Sequence, residues 1–423
     1  MLAGVVAALV GFTSSFAVVL AGLRAVGASV PEAASGLLAL CVVMGVLGIA
    51  LSATTRMPVS VVWSTPGAAL LVTAGRAHYG YGAAVGAFLL AGLLLVATGL
   101  CRPLGRLVAA IPPEIGSAVL AGVLLPLCLS PVEAAVRLPR DVIPVVASWL
   151  VLERIAPRLA VPGAALAAGI AVAATTPLGA AVRHAGPPAL RWTSPVLDPA
   201  ALIGIGLPLF LVTMAAQNVP GLTVLRSFGY TPEPGPLLAA TGGATAAVAG
   251  FGGHSLNLAA ITAALCAGPS AHREPTRRWI AAAAAGVAYV GLGLGAGLVT
   301  AVAARAPALL VESVAGLGLL GALGSALGAL AGPGPGREAA VVAFAVTASG
   351  ISPAGIGSPL WGLAAGGVLA LLSRRREARC GTDVGTHRTL ANVPGAAVIP
   401  QSSCSAQASA STPSTSRGPG REK

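Results

Sequence analysis

Long apolar stretches, broken by short polar or glycine- and proline-rich segments, recur along most of the chain. A membrane helix needs about 20 mostly apolar residues. On that measure the pattern predicts fourteen spans, at about 4–23, 33–53, 57–74, 81–100, 112–129, 142–157, 161–178, 200–220, 236–252, 254–268, 279–302, 308–331, 338–350 and 358–373. Spans 3, 6, 10 and 13 are short. The first stretch has no basic lead, and the second follows almost at once, so it reads as a membrane helix rather than a signal peptide. From Cys380 onward the chain is rich in Ser, Thr, Pro and Gly with no apolar period, which predicts a disordered tail.

Composition agrees with an all-α polytopic membrane protein. Charged residues make up 9% of the chain, hydrophobic residues 56%, and the mean hydropathy is +0.87. Soluble domains carry about 25% charged residues, so an ordinary soluble enzyme is excluded. The net charge of +12 reflects only 13 acids against 25 bases. No basic stripe with interleaved aromatics exists, so no nucleic-acid partner is expected. The cysteines Cys41, Cys101, Cys128, Cys266, Cys380 and Cys404 lack metal-ligand spacing, and neither metal nor cofactor is expected. Arginines fall fourteen to seven in favour of the loops that are inside if the N-terminus is inside. That bias predicts a cell (inner) membrane protein with both termini cytoplasmic.

A repeat is visible. Leu20–Gly27 followed by Pro31-Glu32 matches Leu222–Gly229 followed by Pro232-Glu233, as L-x-x-L-R-x-x-G and then P-E. The copies lie about 202 residues, or seven predicted spans, apart. An odd number of spans makes the two halves inverted, an architecture of transporters with binding near the midplane. The repeat pairs span 3 with span 10. Span 3 has β-branched and aromatic residues from Val59 to Trp63, then Ser64-Thr65-Pro66, a helix N-cap signal. Span 10 has Gly252-Gly253, then Ser255 and Asn257, then an Ala-rich run. Each predicts a short extended piece followed by a half-helix, and two helix N-termini at mid-membrane suit an anion. Span 8 adds adjacent amides, Gln217 and Asn218, which the repeat sets opposite Thr13-Ser14-Ser15 of span 1. A polar cavity lined from spans 1, 3, 8 and 10 is expected. The alternative at each position is interhelical hydrogen bonding alone.

The strings WSTPGAALL (63–71), TMAAQNVPGLTVLRSFGY (213–230), FGGHSLNLAAITAALCAGP (251–269) and VTASGISPAGIGSPLWGLAAG (346–366) resemble the benzoate/proton symporters of the BenE family. The resemblance runs from about residue 4 to residue 373. It implies a secondary transporter that imports benzoate with protons, and the uracil-permease and sulfate-transporter fold. In that fold, residues 1–105 and 200–303 (spans 1–4 and 8–11) form a core domain. Residues 106–199 and 304–373 (spans 5–7 and 12–14) form a gate domain, and 374–423 is a cytoplasmic tail. The expected substrate-binding residues are Ser14, Ser15, Ser64, Thr65, Gly67, Gln217, Asn218, Ser255 and Asn257. Dimers occur in this fold, which leaves a homodimer open. The polar lead before span 1 is shorter than in the family, which leaves an upstream start codon open.

No acid lies within spans 1, 3, 8 or 10. A carboxylate-free site with amides and helix ends fits an aromatic carboxylate better than an N–H-rich nucleobase, although another anion or a nucleobase is the alternative. His254 is the first candidate for the coupled proton, since histidine titrates near neutrality. Glu114 and Glu312 in the gate are further candidates. No H-E-x-x-H, G-x-S-x-G or acid cluster suggests an enzyme.

Overall fold

The computed structural model describes residues 1–75, 78–101, 103, 105, 112–175, 188–330, 336–353 and 356–373. The tail expected at 374–423 lies outside them. In chain order the elements are α1 (Leu2–Ala25), α2 (Val30–Thr55), β1 (Val61–Trp63), α3 (Thr65–Ala74), α4 (Tyr81–Leu100), α5 (Pro113–Arg137), α6 (Pro139–Ile155) and α7 (Ala160–Thr175). Then come α8 (Pro199–Ser227), α9 (Pro234–Ala249), β2 (Leu256–Leu258), α10 (Ile261–Ala267), α11 (Trp279–Leu294), α12 (Ala296–Ala303), α13 (Ala308–Leu330), α14 (Arg337–Ala348) and α15 (Ser358–Ser373).

Among the described residues, seven helices are long and apolar enough to cross a membrane. The count reaches eight if the segments Pro275–Leu294 and Ala296–Ala303, bent by 54° at their junction, form one span. The chain is a multi-pass membrane protein. Other predicted spans appear as shorter elements for local reasons. Spans 3 and 10 are part strand, as expected, and α14 extends only 12 residues before Gly350 takes φ +65°.

The repeated motif is a helix stop. Gly27 and Gly229, its shared glycines, have φ of +101° and +85° and lie just past α1 and α8. A left-handed residue after a helix lets the following N–H groups reach back to its last carbonyls. Here Ala28 N–H donates to Leu23 O (3.0 Å) and Tyr230 N–H to Leu225 O (3.1 Å). The P-E step starts the next helix. Glu32 closes a capping box with Ser29 at the start of α2, accepting from Ser29 N–H at 2.8 Å. Glu233 is the N-cap residue of α9.

Helix packing follows small residues, as expected where lipid offers no hydrophobic drive between helices. α4 lies against α9 and α2 against α11. A Cβ on Gly92 would sit 2.9 Å from Gly242 O, and one on Gly286 would sit 2.5 Å from Gly45 O. α5 and α13 pack on each other.

α8 is one 29-residue helix with two π-helical turns, Leu202–Gly206 and Met214–Asn218. Each precedes a proline by two residues, Pro208 and Pro220. Proline clashes with the carbonyl four residues back and donates no N–H. A widened turn relieves the clash and rotates the side chains next to it.

Candidate functional site

β1 and β2 meet antiparallel at the centre of the bundle, with Val62 opposite Asn257. Two further bonds extend the ladder evenly. Ser64 N–H donates to Ser255 O (3.1 Å) and Ala259 N–H to Ser60 O (2.9 Å). Irregular backbone at membrane depth is tolerated only where protein satisfies it, and side chains from neighbouring helices do so here. Ser52 of α2 donates to Val59 O (3.0 Å). Thr245 of α9 accepts from Leu256 N–H (2.9 Å), and Asn218 Oδ1 of α8 accepts from Leu258 N–H (2.9 Å).

β1 feeds directly into α3. Ser64 is its N-cap, and Ser64 Oγ accepts from Gly67 N–H at 3.1 Å. The same oxygen accepts from Thr213 Oγ1 at 2.9 Å. A serine hydroxyl has two acceptor positions and one donor, so both acceptors are used and the O–H remains to give. Ser255 Oγ lies 3.4 Å from Thr213 Oγ1 and joins the chain. Asn257 Nδ2 donates to Leu258 O (3.0 Å) while its Oδ1 has no partner.

His254 Nε2 is 2.9 Å from Ser64 O. A carbonyl only accepts, so Nε2 carries the hydrogen, and Nδ1 is a buried acceptor with no partner. Ser64, Thr213, Asn218, His254, Ser255 and Asn257 are each 0% exposed. Ser15 is nearly buried, donates to Gly11 O (2.8 Å) and accepts from Trp63 Nε1 (2.9 Å).

The structure thus brings Ser15, Ser64, Gly67, Asn218, Ser255 and Asn257 together around the strand pair. Ser14, Thr65 and Gln217 are half-buried at its margin. Ser14 Oγ turns back to Gly11 O (3.1 Å). One expectation changes. The centre is a closed polar cluster rather than an open cavity. Glycines explain the closure. A Cβ on Gly318 of α13 would collide with Ser14 O of α1, and one on Gly116 of α5 would lie 3.2 Å from Ala215 Cβ of α8.

Neither Glu114 nor Glu312 reaches this cluster. Glu114 is exposed in the first turn of α5. Glu312 lines a separate cavity with Arg24. Thr213 is the residue that sequence reading passed over. Its local mark is Pro220, two residues past the adjacent π turn. Beyond α10, Arg278 is buried, with Nη1 donating to Ala267 O (2.8 Å) and Nε to His272 O (2.8 Å). Nearby, Tyr230 donates to Pro275 O (2.9 Å). Burial pushes its phenol up, and Arg278 works against that shift.

Apolar helices packed around a buried broken-strand centre are the architecture of a membrane transporter. The fold is similar to the transmembrane domain of the cyanobacterial bicarbonate transporter BicA, with a TM-score of 0.52 over 86% of this chain and 96% of that one, at 13% identity. The BenE family model, described as benzoate membrane transport protein, matches residues 1–372. The chain belongs to this family. It is 38% identical over 371 residues to the inner membrane protein YdcO of Escherichia coli (87% of this chain, 94% of the relative). It is 30% identical over 369 residues to the benzoate membrane transport protein of Acinetobacter baylyi (86% of this chain, 92% of the relative).

Proposed function

We propose that the protein imports benzoate or a similar aromatic carboxylate across the inner membrane by proton symport, with both termini cytoplasmic. The observation that carries this reading is the inventory of unused groups at the buried centre. Ser64 keeps one hydroxyl donor at the N-terminus of α3, while His254 Nδ1 and Asn257 Oδ1 are unpartnered acceptors. A donor and a helix N-terminus suit a carboxylate. Of the two acceptors, His254 Nδ1 can take up a proton. The set fits an anion arriving with a proton better than an anion alone.

The closed centre supports alternating access. A ligand reaches a cluster that is 0% exposed only if packed elements separate. The glycine contacts Gly318–Ser14 and Gly116–Ala215 mark where they would part. They lie between α13 and α1 and between α5 and α8, the proposed division of gate from core. The paired contacts Gly92–Gly242 and Gly45–Gly286 and the two matching helix stops support fourteen spans arranged as inverted repeats.

Uptake of labelled benzoate by proteoliposomes, with and without an inward proton gradient, tests this reading. Competition by uracil, sulfate and substituted benzoates tests the substrate class.

A further inference from the structure

The repeated motif contains an arginine that the buried centre does not use. Arg24 is exposed in the last turn of α1. It lines a cavity of about 280 Å³ with Leu20, Ala21, Thr300, Val311 and Glu312. That is just under the about 300–1,000 Å³ of typical small-molecule pockets, enough for a single-ring ligand. The walls come from α1, α12 and α13, at the end of the bundle that the arginine bias assigns to the outside.

A cation at a helix C-terminus has an ordinary explanation, attraction to the helix dipole. A second observation goes beyond it. Thr300 is 2% exposed, lines the same cavity, and its Oγ1 has no hydrogen-bond partner. Helical threonines usually satisfy the hydroxyl on a carbonyl one turn back, as Thr98, Thr245 and Thr347 do here. A guanidinium at a cavity with apolar walls, and an unpaired hydroxyl on a buried residue of the same lining, make a ligand-shaped arrangement. Guanidinium matches carboxylate geometry with paired N–H groups.

We propose that this cavity is a second carboxylate site, an outer vestibule. There Arg24 pairs with the carboxylate of an aromatic acid, Thr300 donates to it, and Leu20, Ala21 and Val311 contact the ring. The inference rests on the aromatic-acid reading of the buried centre and adds a station before it.

The test is equilibrium dialysis of labelled benzoate against the purified full-length protein in detergent. The wild type is expected to show two classes of site. Arg24→Gln should weaken the weaker class about tenfold, the scale of a lost charge-assisted hydrogen bond. Arg24→Lys should retain part of it, and Thr300→Val should weaken it in a chain with every charge intact. A single class of site, or a weaker class that neither Arg24→Gln nor Thr300→Val alters, overturns the vestibule and leaves the central site standing. A wild type that binds no benzoate overturns the aromatic-acid reading itself. Unchanged melting temperatures certify that the variants are folded.

Discussion

His254 and Ser64, 190 residues apart in the chain, are joined by a 2.9 Å hydrogen bond from the imidazole Nε2 to the serine carbonyl. The bond ties the segment before β2 to the residue that caps α3. It also fixes the tautomer and leaves Nδ1 as the open acceptor. If that nitrogen receives the coupled proton, His254→Gln should keep a donor towards Ser64 O and lose the titration. Benzoate uptake by the variant is then expected to ignore an imposed pH gradient. Gradient-stimulated uptake at the wild-type level would move the proton elsewhere.

Ser64 joins stability to binding. Ser64→Ala removes the cap of α3 and the acceptor of the Thr213 hydroxyl. A lost N-cap costs about 0.5–2 kcal/mol, and an orphaned buried hydroxyl adds a penalty of about 1–3 kcal/mol. A lower melting temperature together with weaker benzoate binding is expected. Weaker melting with unchanged affinity would make Ser64 a structural residue only.

Much of this arrangement was legible in the chain. The run Val59–Trp63 and the Ser64-Thr65-Pro66 signal announced a strand entering a capped helix, and the structure has both. The glycines that end the two L-x-x-L-R-x-x-G motifs both take left-handed positions. What was hidden depended on contacts between distant segments. The π turn that sends Thr213 towards Ser64 and Asn218 towards Leu258 has only a downstream proline as its local mark. The strand register, which places Asn257 opposite Val62, is set by pairing between segments about 200 residues apart. The closure of the centre depends on glycines in α5 and α13, about 100 and 300 residues from the alanine and serine they respectively meet.

Asn257 is the sharpest single probe of the binding groups. Its Oδ1 is buried and unpartnered, while its amide nitrogen holds Leu258 O. Asn257→Leu removes the acceptor and fills the space with an apolar side chain. Benzoate affinity measured by equilibrium dialysis should fall at least about tenfold. An unchanged affinity would place the ligand away from the strand pair.

Gly318 tests the proposed movement. Gly318→Ala sets a methyl against Ser14 O, while Gly321→Ala on the same helix meets open space. Overpacking typically costs about 1–3 kcal/mol. The first substitution should lower the maximal uptake rate several-fold and the second should leave it alone. Equal rates in both would show that α1 and α13 need not approach each other during transport.

Benzoic acid crosses bilayers unaided to some extent, so protein-free liposomes set the baseline for the most direct measurement. Proteoliposomes with an alkaline interior should accumulate labelled benzoate faster than that baseline. The excess should saturate with benzoate, collapse with a protonophore and disappear in Asn257→Leu. Uptake equal to protein-free liposomes, or a saturable uptake indifferent to the pH gradient, would contradict proton-coupled import of an aromatic carboxylate.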